Sequence, residues 1–151
     1  MKSFRFLLLL PILFIFSCNN TYYSEDVVLN TETKYYPVDT RSWKKIDVPP
    51  TQSDPYEDSK WSYFYCEFTE PLLTSKFFEN GVMNAYMTDG GNKSIITPLP
   101  FDNFYSDRGF MWTEQVTCEF TPKKVTFIIK YNDFRMDIWP GTYTFMVRYA
   151  W

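Results

Sequence analysis

Apolar and polar positions alternate every second residue along much of this chain, the period of strands that bury one face. From Trp61 to Phe68, one face carries Ser62, Phe64, Cys66 and Phe68, and the other carries Trp61, Tyr63, Tyr65 and Glu67. Over Thr113–Thr121, Val116, Cys118 and Phe120 oppose Gln115, Thr117 and Glu119. Strand-like runs recur at 33–38, 82–88, 94–97, 125–131 and 142–151. Asp89-Gly90-Gly91-Asn92 supplies residues that tolerate φ > 0 and predicts a hairpin turn, and Pro122-Lys123-Lys124 predicts another tight turn. Pro71–Asn80 reads as a turn or short helix stopped by Gly81 at the C′ position. Residues 47–60, with three prolines and four acids, read as a loop, and so do residues 99–112. This spacing predicts an all-β chain: a single-domain antiparallel β-sandwich of the immunoglobulin-like class, with about seven strands and one short helix or turn near 71–80.

The first twenty residues depart from that pattern. Lys2 and Arg5 precede an unbroken apolar run, Phe6–Phe16, of about 11 residues. A bilayer span needs about 20, so a signal peptide is predicted. Ile15-Phe16-Ser17-Cys18 resembles the lipobox of bacterial lipoproteins, with Phe16 at −2 fitting the looser form found in Bacteroidetes. That resemblance implies removal of residues 1–17, a lipid on Cys18, a tether over 18–32 and a sandwich domain over 33–151. Acyl chains contribute about 0.8 kcal/mol per buried CH₂, enough to anchor the chain to a membrane without a spanning segment. A cysteine beside an ordinary cleavage site gives the same letters.

Loss of residues 1–17 removes two basic residues and no acid, so net charge moves from −3 to −5. An acidic surface argues against nucleic acid and against electrostatic capture by anionic headgroups. Aromatic residues make up 21% of the chain, which predicts a core rich in Phe and Tyr. With no histidine, Ser-His and Cys-His nucleophiles and His-containing zinc sites are out of reach. No P-loop or G-x-G-x-x-G occurs, so no cofactor is predicted. Asp102, Asp107, Glu114 and Asp133 could supply a two-carboxylate glycosidase, but acids in loops are usually solvated turn formers. Asp89–Asn92 and Asp102-Asn103 are oxygen-rich without EF-hand spacing. Neither an enzyme nor a metal site is predicted.

Two further sets of residues carry candidate roles. Cys66 and Cys118 stand in two copies of a Cys-Glu-Phe-Thr motif, both on apolar faces. A bridge closing a loop of about 50 residues would add about 3–4 kcal/mol, provided the Cα atoms lie within about 7 Å; two free core thiols fit equally. Trp61, Tyr63 and Tyr65 form an aromatic row, and Phe104, Tyr105 and Trp112 crowd the 99–112 segment beside Asp and Arg. Exposed, these residues would make a surface for sugar or protein; covered, for instance by Trp43, they would be packing.

The succession TKYYPVDTRSW, WSYFYCEF, LLTSKFFENGVMNAYM, TPLPF, KVTFIIKYNDF and PGTYTFMVRYAW resembles a group of small Bacteroidetes lipoproteins whose role is not established. Trp43, Thr74, Gly81, Tyr86 and Leu99-Pro100-Phe101 fall in that group's order, with Met83 and Phe101 departing from its usual residues. The resemblance covers about residues 33–151 and implies an anchored, exported β-sandwich, with no catalytic residues attached. The expectation is therefore a non-catalytic binding module of the cell envelope, held at the outer membrane by its lipid, on either face. Its partner would be a protein or a glycan. A carbohydrate-binding accessory of a glycan-uptake system and an accessory subunit of a surface appendage are the alternatives. A free edge along 142–151 would mark the latter.

Overall fold

The structure, a computed structural model, describes residues 29–48, 62–89, 92–132 and 136–151. The signal peptide, Cys18 and Trp61 lie outside the described residues. Among the described residues, nine strands and one helix follow in order: β1 (Thr31–Val38), β2 (Lys44–Ile46), β3 (Tyr63–Thr69), α1 (Ser75–Asn80), β4 (Val82–Asp89), β5 (Asn92–Pro98), β6 (Phe101–Asp107), β7 (Phe110–Thr121), β8 (Lys124–Tyr131) and β9 (Tyr143–Ala150). They form two antiparallel sheets, β1-β9-β4-β5 and β2-β3-β8-β7-β6. The alternating runs predict this all-β sandwich, and the structure adds β2 and β6 to the seven strands they mark.

Each inward stripe is the one that alternation assigns. On β8, Val125, Phe127 and Ile129 are fully buried, and on β9 so are Phe145 and Val147. Phe127 and Phe145 stack at 4.0 Å and 7° where the sheets meet. Burying a side chain of this size stabilises the fold by about 1.5–3 kcal/mol, so these two strands form the spine of the core. Trp43 also turns inward, edge-on to Tyr143 and Phe145, and its Nε1–H donates to the Gly141 carbonyl at 3.0 Å. It therefore does not cover the tyrosine row.

The chain crosses between sheets at Leu99-Pro100, a cis peptide, and continues as β6. Residues 99–112 are consequently not a loop. They hold a strand, a two-residue turn and the start of β7, which begins at Phe110 rather than Thr113. At that turn Arg108 (φ 48°) and Gly109 (φ 86°) are both left-handed, the conformation of a type I′ hairpin turn.

Helix α1 starts where Thr74 Oγ1 accepts from the Phe77 N–H at 3.2 Å. Gly81 ends it, but for a reason other than the left-handed cap expected. Its φ of −93° is ordinary extended backbone. A Cβ there would lie 2.7 Å from the Phe77 ring and from the Phe77 carbonyl oxygen, so glycine is needed for close approach.

Strand β9 lies between β1 and β4 and pairs with both, with Ala150 opposite both Thr31 and Val82. The expected mark of strand donation, a free edge along 142–151, is absent.

Candidate functional site

The hairpin β6–β7 runs past the rest of its sheet. β8 stops at Tyr131, opposite Glu114, while β7 continues back to Phe110 beside β6 alone. Thr113 is still held by Asn132, whose Oδ1 accepts the Thr113 N–H at 2.7 Å. Beyond that point, among the described residues, the ribbon is two-stranded.

Opposed residues share a face, so the register fixes what each side of the ribbon presents. Asn103 opposes Glu114 and Tyr105 opposes Trp112 on the inner side. Tyr105 and Trp112 stack at 5.3 Å and 16°. Behind them Glu114, 4% exposed, accepts hydrogen bonds at one carboxylate oxygen from Asn103 Nδ2 (3.1 Å), the Tyr143 hydroxyl (2.8 Å) and, more weakly, the Tyr105 hydroxyl (3.5 Å). These bonds join β6, β7 and β9 and root the hairpin in both sheets. Burial, reinforced by the Glu114 charge, pushes both tyrosine hydroxyls above their ordinary range, so they stay protonated donors.

The outer side is different. Phe104 and Met111 are each 82% exposed, and their register places them diagonally across the ribbon. No other large apolar side chains in the described residues are so bare. Beneath Phe104, on the outer face of the five-stranded sheet, lies a depression of about 360 Å³ lined by Asp102, Thr113, Gln115, Lys130 and Asn132 among others. Asp102 opposes Gln115, and Gln115 opposes Lys130, so three polar side chains cross the sheet in one row.

Tyr63 and Tyr65 share this outer face and are half-buried. Their rings meet at 5.9 Å. Lys130 Nζ sits 5.6 Å from the Tyr63 ring centroid and Lys44 Nζ 5.8 Å from that of Tyr65, so each ring already carries a cation–π contact. Tyr63, Tyr65 and Phe104 thus share one surface, whereas Tyr105 and Trp112 face inward. The polar row Asp102-Gln115-Lys130 and exposed Met111 complete the outer face, and sequence reading singled out only Asp102 of these, as a candidate acid. The pairing of β6 with β7 brings them together, and treating 99–112 as a loop hides it.

The cysteines resolve as free thiols. Cys66 on β3 and Cys118 on β7 both oppose Phe127 of β8, one from each side. Two strand spacings of about 4.8 Å put the Cα atoms beyond the roughly 7 Å that a bridge allows. The alternative of a Cys66–Cys118 disulfide is therefore corrected: the repeated motif marks two strands flanking one phenylalanine. Burial raises both thiols above their ordinary range, which suppresses the nucleophilic thiolate.

Asp102 and Glu114 lie on opposite faces of their sheet and do not address a common space. Among the described residues no three Asp, Glu or Cys side chains come together as a metal site. Comparisons with protein-family models, curated proteins and solved structures find no match to this chain.

Proposed function

We propose that this chain is a lipid-anchored protein of the cell envelope, akin to the small Bacteroidetes lipoproteins its motifs resemble, and that its sandwich is a non-catalytic binding module working through the β6–β7 hairpin. One observation carries the reading: Phe104 and Met111 stand 82% exposed on the outer side of this ribbon. Leaving two large apolar side chains in water forgoes about 1.5–3 kcal/mol each, a cost that a partner covering them would recover. Buried Glu114 and the Tyr105–Trp112 stack stiffen the ribbon, so little order remains to be lost on binding. Site-specific photo-crosslinking in intact cells tests this. A photoreactive phenylalanine analogue at 104 or 111 is expected to give one defined adduct, and the same analogue at exposed Tyr35 none. Equal labelling at all three positions would remove the basis of the proposal.

A glycan is the partner chemistry favoured by the depression under Phe104. Sugar rings stack their C–H face on an exposed aromatic ring while neighbouring carboxylate and amide groups take the hydroxyls. Phe104, Asp102, Gln115 and Asn132 supply that combination within one depression. In affinity electrophoresis, Phe104→Ala and Asp102→Ala should each abolish retardation seen for the parent chain; absence of retardation on every polysaccharide tried sinks the glycan reading and leaves a protein partner. The appendage reading has less to stand on, because β9 has no free edge.

A further inference from the structure

Exposed apolar side chains also gather at the end of the sandwich opposite the hairpin. Asn30 and Trp151 exchange backbone hydrogen bonds at 2.9 and 3.0 Å, so Leu29 lies at the same end as Trp151, on the other face of the sheet. Val82 opposes Ala150, one residue before Trp151. Phe77 packs on the Trp151 ring at 6.0 Å, bringing Phe78 to the same end. Leu29 is 57% exposed, Val82 59%, and Phe78 and Trp151 38% each. Trp151 also borders a groove of about 490 Å³, whose other walls include Pro71, Leu72, Phe77 and Lys76. Lys123 stands at the same end, in the β7–β8 turn whose N–H bonds the Leu73 carbonyl at 2.8 Å.

We infer that this pole rests on the bilayer that holds the anchor, with Leu29, Phe78, Val82 and Trp151 entering the boundary between headgroups and acyl chains. The inference rests on the lipid-anchored reading of Cys18. Three observations converge on a lipid surface rather than another occupant. The described chain enters at this pole, and Leu29 lies 11 positions after Cys18. Fully extended, that tether reaches at most about 40 Å, so the membrane stays near the pole at an effective concentration on the millimolar scale. Contacts too weak to recruit a free protein are then sufficient. The side-chain chemistry also fits the interface: a half-exposed indole favours the headgroup level, and Lys76 and Lys123 can extend their ammonium groups toward water or phosphate. Insertion of this kind is driven by apolar area, which an acidic chain can supply as well as a basic one. With this pole down, the hairpin points away from the membrane.

Bromine-quenched fluorescence of the full chain purified from cell envelopes tests the inference. The protein is reconstituted into vesicles of phosphatidylethanolamine and phosphatidylcholine with brominated acyl chains. Part of the tryptophan emission should be quenched, and Trp151→Phe should remove most of that quenched part. Trp139→Phe, on the opposite pole against Phe64, should leave it intact. Val82→Glu, at a position 59% exposed, should also reduce it. Quenching unchanged by Trp151→Phe and by Val82→Glu overturns the proposal. So does absence of quenching in a chain that co-sediments with the vesicles and carries acylated Cys18 by mass, particularly if cross-linking then joins two chains through this pole. A chain that neither co-sediments nor carries a lipid overturns the anchoring reading, and the inference with it.

Discussion

Glu70 and Glu114 are both almost fully buried carboxylates, yet they are held in different ways. Glu114 relies on neutral donors from Asn103, Tyr105 and Tyr143. Glu70 is paired with Lys34 Nζ at 2.7 Å, takes the Tyr36 hydroxyl at 2.6 Å and the Leu72 N–H at 3.1 Å, and Tyr36 in turn meets the Tyr149 hydroxyl at 2.8 Å. Burial by itself pushes the Glu70 carboxyl up. The bonds from Lys34, Tyr36 and Leu72 outweigh it and hold the group below its usual value. A carboxyl depressed in the folded state contributes stability above its unfolded pKa of about 4.3, and that contribution is lost as pH falls through the folded value. Acid should therefore destabilise the protein below about pH 4.5, and Glu70→Gln should flatten that limb of the stability curve while costing about 1–3 kcal/mol at neutral pH. Denaturant melts of both proteins between pH 3 and 7 check it; parallel acid limbs would remove Glu70 from the account. Nothing in the local sequence marks this network, because Lys34, Tyr36, Glu70 and Tyr149 come from distant segments.

Among the elements, most strands were legible because their inward faces are apolar and their outward faces polar. β6 inverts that rule. Asn103 points inward, where Glu114 needs a donor, and Phe104 points out. The same stretch then turns through left-handed Arg108, a residue that does not announce a hairpin. Local patterns fail most often where a fold is shaped for something besides stability, and here the failure coincides with the most exposed aromatic in the described chain. β2 escaped notice for a plainer reason: three exposed residues carry no period. Gly81 was noticed but for the wrong cause. Since any Cβ there meets the Phe77 backbone as well as its ring, Gly81→Ala should shift α1 against β4 and destabilise the fold by about 1–3 kcal/mol. A left-handed cap would have predicted rescue by Asn; close approach predicts that Gly81→Asn is at least as damaging as Ala. Thermal melts of the two variants separate these explanations.

For the whole molecule, the fold class followed from patterning, but the assignment of surfaces to opposite ends did not. Only the register of β9 with β1 and β4, together with the Tyr143–Glu114 bond, shows that the end where β1 begins and the hairpin end lie a full strand length apart. The five-stranded sheet is built largely from neighbours in sequence: β6–β7 and β7–β8 are hairpins. The four-stranded sheet is not. Thr31 pairs with Ala150 across almost the entire described chain, and β1 and β4 touch only through β9. The position of one strand thus sets an order of events. Closing so long a loop is slow relative to forming local hairpins, so β6, β7 and β8 can assemble early, while β1 has no partner until residues 143–150 arrive. Pulse-labelled hydrogen exchange during refolding should protect amides of β7 and β8 well before those of β1; simultaneous protection would refute that order. During that interval β1 and β4 lack their shared neighbour, and this is when the chain most needs to be kept from pairing with others like it.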